Sequence, residues 1–387
     1  VSDIKIPPLA NSAMDGYAVQ HADIVAARPE TPVTLNVDGY IAAGQLPDRP
    51  VTKGNAIRIM TGAPIPPGAN TVVPFEDTSE YELKNAGLNP MDLDKVDIKV
   101  ESPVGSNVRP AGQDIQVGEK VLSKGVVLRP GEIGVIASLG RNKVKVIRRP
   151  SIAVLATGDE LIEPGSPPVE GRIYDSNSYG VCASVVKYGG RPTFLGIAQD
   201  NLMSMNSKIE EGFQADMILT SAGVSKGDYD IVKDVLVSRG EIDFWSVRMR
   251  PAKPLAFGVL FSDDGKKIPH IGLPGNPVSA LVAFEELVRP AILKMMGYKE
   301  LDKLTVKAVL EDDIVNTDGR RVYARAIITN KDGKYYASLT GNQGSNVLTS
   351  MVRANGLAIC PEDVECMKAG EEVEVQMLDW ADGGYSR

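Results

Sequence analysis

Apolar runs and segments with helical spacing alternate along the middle of the chain, between residues 150 and 297. The predicted strands are 151–158, 191–200, 215–223, 242–249, 254–261 and 268–273, and the predicted helices are 175–190, 201–213, 227–240 and 277–296. Strands that alternate with helices of this length predict right-handed crossovers and a mostly parallel, doubly wound sheet. Ligands of such sheets bind beyond the carboxyl ends of the strands, so polar residues at those ends are the first functional candidates.

The regions before and after residues 150–297 contain short β-like runs in place of long segments with helical spacing. Residues 23–120 are rich in Pro and Gly between short β-like runs, which predicts a small inserted β domain. The segment that returns from it, 121–149, predicts a helix with Pro130 near its start, and the run at 142–150 then predicts a strand. Further β-like runs over 304–379 predict a compact all-β, barrel-like C-terminal domain.

These patterns divide the chain into four predicted domains. They are an N-terminal linking domain (1–22 with 121–149), the inserted β domain (23–120), the α/β domain (150–298) and the C-terminal β domain (303–387). Because the chain starts at Val1 rather than at Met, we expect the first part of the N-terminal domain to be missing.

Composition excludes several classes of protein. A net charge of −8 argues against nucleic acid as a partner, although a local basic pocket can still bind a small anion. Three irregularly spaced cysteines form neither a disulfide framework nor a zinc knuckle, which favours a reducing cytoplasm. No apolar run reaches the roughly 18–20 residues that span a bilayer. The chain carries no Walker A, dinucleotide-binding GxGxxG or GxSxG motif.

Acidic and hydroxyl side chains gather where the strands of the predicted α/β domain end. They are Thr157, Asp159, Glu160, Asp175, Asp200, Ser221, Ser225, Asp228 and Asp230. Carboxylates at one crevice repel each other unless a cation compensates, and their hard oxygens suit Mg²⁺ shared with substrate phosphates. The alternative is that each of these residues caps a helix and has no chemical role.

A cationic segment lies between the last predicted strands of the same domain. Arg248, Arg250 and Lys253 fall within six residues, and strand alternation would place the two arginines on one face. Such a cluster suits phosphate or another tetrahedral anion. The alternative is a solvated face of surface ion pairs.

The stretch GLPGNPVSA then joins a buried strand to a helix through Pro274, Gly275, Asn276 and Pro277, with Ser279 in the first helical turn. A helix N-terminus of this kind offers free backbone N–H groups and partial positive charge to an anion. His270, in the apolar strand that precedes it, is interpreted as a core histidine rather than a catalytic one.

Several of these stretches together resemble one family. "NSAMDGYAV", "MTGAPIPPGANTVVPFED", "VRPAGQDI", "LATGDEL", "IYDSNS", "TSAGVSKGDYD", "RPAKPLAFG" and "GLPGNPVSA" are similar, in order, to motifs of the molybdopterin molybdenumtransferases, the MoeA and gephyrin E-domain family. The resemblance implies a MogA-like central domain, and a homodimer with its active site between subunits. It also implies a reaction: molybdate is inserted into adenylylated molybdopterin, and Mg²⁺-dependent hydrolysis releases AMP and molybdenum cofactor.

The resemblance also implies roles for individual residues. The implied catalytic residues are Asp15, Asp114, Glu160, Asp200 and Asp230, and the implied metal ligands are Asp159, Glu160 and Asp200. The implied substrate-binding residues are Thr61, Thr157, Asp159, Asp175, Ser221, Ser225 and Lys253, and the molybdate site is Arg248, Pro274, Asn276 and Ser279. Implied partners are a MogA-type adenylyltransferase and the enzymes that accept the cofactor.

The chain departs from the family pattern at a few positions. Arg250 and Ala252 replace the usual Lys and Gly, and Ala222 replaces a Gly, so the substrate contacts at 250 stay open. The alignment does not decide between Asp228 and Asp230 as the functional acid, and the donor set suits tungstate as well as molybdate. The alternative function is a non-catalytic scaffold or cofactor carrier with the same fold.

Overall fold

The computed structural model describes residues 1–85, 93–222 and 231–379 of the chain. They belong to two compact units, Val1–Lys145 and Val146–Arg387, which we describe one after the other. No helix within these described ranges is long and apolar enough to cross a membrane.

The first unit is built around a mixed β-sheet of five strands. Its strands are β1 (Asn11–Ser12), β2 (Gly16–Val19), β3 (Val33–Ile41), β4 (Asn55–Ile59), β5 (Thr71–Pro74), β6 (Lys95–Ile98) and β7 (Val108–Arg109), and its helices are α1 (His21–Ile24), the 3₁₀ turn Phe75–Asp77, α2 (Ser79–Asn85) and α3 (Pro130–Ser138). The sheet order is β5-β2-β4-β3-β6, and β1 pairs separately with β7. Gly16 is required in β2, because a Cβ there would lie 2.0 Å from the carbonyl oxygen of Val73. The small β fold predicted for this region is confirmed.

A buried ion pair lies on this sheet. The Arg58 guanidinium donates to both carboxylate oxygens of Glu80, over 2.9 and 2.8 Å, and the Tyr17 hydroxyl donates to the same carboxylate at 2.7 Å. Glu80 is fully buried and Arg58 is 7% exposed. Burial and the neighbouring Glu80 raise the pKa of Tyr17, so the phenol stays protonated and keeps its role as a donor.

The predicted strand at 142–150 is wrong. The helix predicted before it is present as α3, but no strand forms over 142–150. Val144, Val146 and Ile147 are 52%, 66% and 54% exposed. A β-like composition makes a strand only where a neighbouring strand takes its backbone hydrogen bonds, and no described strand pairs with this segment.

The second unit begins with the α/β fold. Its strands are β8 (Ser151–Thr157), β9 (Leu161–Ile162), β10 (Ile173–Tyr174), β11 (Arg191–Ala198), β12 (Met217–Ser221), β13 (Gly240–Ser246), β14 (Met249–Arg250), β15 (Pro254–Phe261) and β16 (Lys267–Leu273). Its helices are α4 (Asn177–Lys187), α5 (Leu202–Gly212), α6 (Ile231–Arg239), α7 (Pro277–Ala283) and α8 (Arg289–Met295), with a π-helical turn, Phe284–Val288, between the last two.

The main sheet has the order β11-β8-β12-β16-β15-β13. Its first four strands are parallel, and β15 and β13 add an antiparallel hairpin at one edge. Side chains of α4 and α7 belong to one buried cluster and those of α5 and α6 to another, so helices cover both faces. The doubly wound fold is confirmed, and its strand order reverses between β8 and β12.

The C-terminal region closes into a β-barrel. Its strands are β17 (Thr305–Leu310), β18 (Ile314–Val315), β19 (Arg321–Lys331), β20 (Lys334–Leu339), β21 (Gly356–Cys360), β22 (Cys366–Met367) and β23 (Glu372–Met377), with one short helix, α9 (Thr349–Arg353). Strand β19 pairs with both β20 and β21, which closes the order β19-β20-β17-β23-β21. The barrel predicted from the short β-like runs is confirmed. Strand β14 of the α/β fold extends it by pairing with β19.

The buried ion pair gives a stability prediction. Replacing Arg58 by Met removes the cation that compensates the buried Glu80 carboxylate, so the free energy of unfolding of the first unit should fall by about 3–5 kcal/mol. Amide hydrogen exchange on β2 and β4 would measure it. The matched control is Lys307→Met, which removes an exposed ion pair with Glu372 and should leave exchange unchanged. Equal protection in Arg58→Met and the unchanged protein would contradict this.

Candidate functional site

The point where the strand order reverses lies between the ends of β8 and β12. The Thr157 hydroxyl donates to the carbonyl oxygen of Ser221 at 3.2 Å, and these residues are 2% and 3% exposed. The two predicted substrate-binding residues are thus brought together at the carboxyl edge of the sheet. The Ala222 N–H extends the same edge by donating to the carbonyl of Leu273 at 3.0 Å.

The predicted metal ligands lie at this edge and are exposed. The N–H of Asp200 donates to the Asp159 carboxylate at 3.2 Å. A Cβ on Gly158 would lie 2.3 Å from a carboxylate oxygen of Glu160, so that carboxylate folds back over the glycine. Within the described ranges, no three Asp, Glu, His or Cys side chains are grouped closely enough to hold a metal ion. The exposed carboxylates therefore fit Mg²⁺ in the mode where protein carboxylates share the ion with substrate phosphates.

Asp175 is a buried helix cap. It is 1% exposed, and one carboxylate oxygen accepts the N–H of Ser178, in the first turn of α4, at 3.0 Å. Its other carboxylate oxygen has no hydrogen-bond partner among the described residues. The observed contact is that of a helix-capping residue, which was the alternative to a chemical role. The substrate-binding role of Asp175 stays a prediction.

The Pro-Gly-Asn-Pro turn, residues 274–277, differs from the predicted anion site in one respect. The N–H of Val278, in the first turn of α7, donates to the carbonyl of Ser345 in the barrel at 3.1 Å. This donor is therefore not free, because the C-terminal barrel packs against the helix start and satisfies it. Pro274 is buried and has no N–H, so it shapes the turn without donating to a ligand.

Asn276 and Ser279 line a pocket of about 560 Å³ between the α/β fold and the barrel of the second unit. Arg250, Lys253 and Arg320 line it as well. A neighbouring pocket of about 420 Å³ shares Lys253 and Arg320 and includes Arg248. The structure thus places the predicted molybdate residues Arg248 and Ser279 in adjacent pockets, joined by two cations.

The cationic segment is not a continuous strand, so alternation does not set the direction of its arginines. Strand β13 ends at Ser246, and only Met249–Arg250 pairs again, with β19. Arg248 donates to the carbonyl of Gly319 at 2.9 Å, and Arg250 donates to that of Val315 at 2.8 Å. Lys253 has no ion-pair partner in the part of the chain that the structure describes. Its charge is available to a ligand.

The barrel contributes Arg325, a cation that the sequence did not lead us to predict. Arg325 is 2% exposed and donates to the Ser350 hydroxyl and to the carbonyl of Gly344, both at 3.2 Å, with no carboxylate partner among the described residues. Burial, and secondarily the charge of Arg250, lower the pKa of Arg325 to about 10. One signal was available: an arginine in the otherwise apolar run "RVYARAIIT".

The first unit holds the remaining predicted residues. One oxygen of the Asp15 carboxylate accepts both the N–H and the hydroxyl of Thr61 at 2.7 Å. Asp114 is exposed, and its N–H donates to the carbonyl of Ile6. The structure therefore brings Asp15 and Thr61 together, and no hydrogen bond within the described ranges links Asp114 to them.

Three of the predicted site residues, Ser225, Asp228 and Asp230, lie outside the described residues.

His270 is fully buried, and its Nε2 lies 3.1 Å from the Thr220 hydroxyl, while Nδ1 has no partner among the described residues. Burial lowers the pKa of His270 to about 3, so the ring is neutral and belongs to the core.

Comparison with known proteins covers nearly the whole chain. Family models match at residues 1–140 (MoeA N-terminal region, domain I and II), 153–294 (probable molybdopterin binding domain) and 307–378 (MoeA C-terminal region, domain IV). Molybdopterin molybdenumtransferase 2 of Mycobacterium tuberculosis is 36% identical over an alignment of 385 residues, which covers 97% of this chain and 90% of that protein. The chain belongs to the molybdopterin molybdenumtransferase family. The motif resemblance is confirmed.

Solved structures agree with this assignment. Two crystal structures of the molybdopterin biosynthesis MoeA protein from Pyrococcus horikoshii match with TM-scores of 0.79 and 0.72, at 32% and 30% identity. They cover 98% and 97% of this chain, and the matches span 90% and 89% of those chains. Membership in the molybdopterin molybdenumtransferase family makes this chain a transferase of molybdenum cofactor biosynthesis.

The unpaired cation gives a binding prediction. A tetrahedral anion that binds the folded state should raise the Tm of the second unit, and molybdate and inorganic phosphate are suitable probes. Lys253→Met should abolish most of that rise, because the pocket loses a cation that no described carboxylate neutralises. The matched control, Lys208→Met, removes a lysine paired with Glu211 on α5 and should keep the rise. An undiminished rise in Lys253→Met would contradict the placement of the anion.

Proposed function

We propose that the chain inserts molybdate into adenylylated molybdopterin and hydrolyses the adenylate, releasing AMP and molybdenum cofactor. The observation that carries the proposal is the pair of cationic pockets on either side of Lys253 and Arg320. Among the described residues, Asp318 is the carboxylate that pairs with these cations, and it contacts Arg250 and Arg320. A pocket of that kind favours a ligand of high negative charge.

Molybdate is a tetrahedral dianion, and the pocket offers donors of three kinds. The cations Arg250, Lys253 and Arg320 supply charge, the Ser279 hydroxyl supplies a short donor, and Asn276 supplies amide groups. Ser279 is 5% exposed and lies in the first turn of α7, where the helix dipole adds positive potential. Arg248 approaches from the adjoining pocket. Tungstate has the same shape and charge, so the proposal includes it as an alternative anion.

The pyrophosphate bond of the adenylate would be cleaved at the acidic edge of the sheet. Asp159 and Asp200, which a backbone hydrogen bond holds together, and Glu160 would hold Mg²⁺ jointly with the phosphates. When bound, the ion would neutralise charge that develops on the phosphate oxygens. Thr157 and Ser221 would bind the substrate at the same edge, with Ser225 and Asp230 in the same motif.

The resemblance supports the rest of the proposal. Asp15, with Thr61 fixed on its carboxylate, and Asp114 are proposed as further catalytic residues supplied by the first unit. A homodimer, the four-domain division and the handover of the product to cofactor-accepting enzymes are proposed on the same ground. The three cysteines are unpaired, which supports a reducing cytoplasm as the location.

The direct test is to incubate the protein with adenylylated molybdopterin, molybdate and Mg²⁺ and to follow AMP release. Release that depends on both molybdate and Mg²⁺ is expected. No AMP above background, with the substrate still bound, would overturn the enzyme in favour of the carrier or scaffold alternative.

Two substitutions separate the proposed roles. Glu160→Gln should lower the maximal rate of AMP release by about 10²-fold or more, because it removes a carboxylate at the cleaved bond. Arg248→Ala should instead raise the molybdate concentration for half-maximal rate by about 10- to 100-fold, through loss of a charged donor.

Glu211→Gln and Arg191→Ala, which change exposed residues away from both pockets, are the matched controls. Equal loss of the maximal rate in Glu160→Gln and Arg248→Ala at saturating molybdate would refute this division of roles.

A further inference from the structure

Asn177, the first residue of α4, connects two elements of the site. Its Nδ2 donates to the Ser221 hydroxyl oxygen at 2.9 Å and to the carbonyl oxygen of Gly275 at 2.7 Å. A carbonyl oxygen can only accept, so the side-chain atom that faces Gly275 must be the NH₂ nitrogen. One amide group therefore ties the end of β12 to the Pro-Gly-Asn-Pro turn, and both of its N–H groups are used.

The first consequence concerns Ser221. Its Oγ accepts the hydrogen bond from Asn177, and no other partner of this oxygen exists among the described residues. The hydroxyl hydrogen must then point away from Asn177. Because Ser221 is 3% exposed, its hydroxyl hydrogen has few other directions in which it could point. Asn177 thus makes Ser221 a donor at the strand edge, which is the polarity that an anionic ligand requires.

The second consequence concerns the turn. The carbonyl of Gly275 and the N–H of Asn276 belong to one planar trans peptide and point in opposite directions. Because Asn177 holds the carbonyl, the Asn276 N–H points to the other side of the turn. That N–H has no acceptor among the described residues, and Asn276 lines the 560 Å³ pocket. The same contact keeps a carbonyl oxygen, which would repel an anion, out of the pocket.

We propose that Asn177 is a positioning residue of the anion site, which sets the direction of two donors, the Ser221 hydroxyl and the Asn276 N–H. It acts through these groups and does not itself touch the anion. The inference deepens the proposed function and rests on it, since it requires an anionic substrate in the site.

The variant Asn177→Asp tests this with nearly unchanged shape. At pH 8 the carboxylate would accept from the Ser221 hydroxyl, reverse its polarity and repel the Gly275 carbonyl. The affinity for molybdate should then fall by about 10- to 100-fold. A protonated carboxyl can donate again, so the ratio of variant to wild-type affinity should recover only as the pH is lowered to the pKa of the new carboxyl, about 3.9 for an ordinary Asp.

Two further variants show whether the effect passes through Ser221. In a Ser221→Ala background, Asn177→Asp should weaken binding much less than it does alone, because the reversed hydroxyl is absent. Asn177→Ser cannot reach both partners, so it should weaken binding at every pH, and it serves if the Asp variant does not fold. The matched control is Asn206→Asp, whose side chain still accepts from Arg239 and which adds the same charge; it should bind as wild type.

Titration calorimetry with molybdate, repeated with inorganic phosphate, provides the readout, and AMP release is followed in parallel. Wild-type affinity in Asn177→Asp at pH 8, or an equal loss with and without Ser221, would overturn the inference. Failure of the proposed function looks different: wild type would bind the anions and release no AMP. If wild type binds neither anion, the inference fails as well.

Discussion

Four arginines around the candidate site are held by backbone carbonyl oxygens, and this interaction determines what the site can bind. Arg248, Arg250 and Arg325 donate to the carbonyls of Gly319, Val315 and Gly344. Arg320 donates to the carbonyl of Met249 at 3.3 Å and pairs with Asp318. A carbonyl orients a guanidinium without cancelling its charge, whereas a carboxylate would do both. Apart from the share that Asp318 offsets, the positive charge of the pockets is thus fixed in position and still available to an anion.

The same contacts join the barrel to the α/β fold. Arg248 and Arg250 donate to the carbonyls of Gly319 and Val315 in the barrel. Arg320 of the barrel donates in return to the carbonyl of Met249. The backbone adds two bonds, from the Arg321 N–H to the carbonyl of Arg248 and from the Val278 N–H to that of Ser345. Packing and charge placement therefore depend on each other, since the like charges stay close only while the barrel holds the segment.

Much of this could be predicted from the sequence, and the failures have physical causes. Alternating apolar runs determined the doubly wound sheet, because each run there has a neighbour to pair with. The run at 142–150 also has a β-like composition but pairs with no described strand, so it is not a strand. The turn at 274–277 was recognised as an anion-binding candidate, yet Val278 donates to Ser345, a contact made by a residue far along the chain. Arg325 was missed for the same reason: it lies beside Arg250, at one pocket of about 240 Å³, only after the barrel closes.

We expect the oxyanion to bind in the pocket between the α/β fold and the barrel. Crystals of the protein soaked with molybdate and measured at the molybdenum absorption edge would locate the bound anion. An anomalous peak is expected in the pocket lined by Lys253, Asn276 and Ser279. A peak found only elsewhere, or none in a protein that binds molybdate in solution, would contradict it.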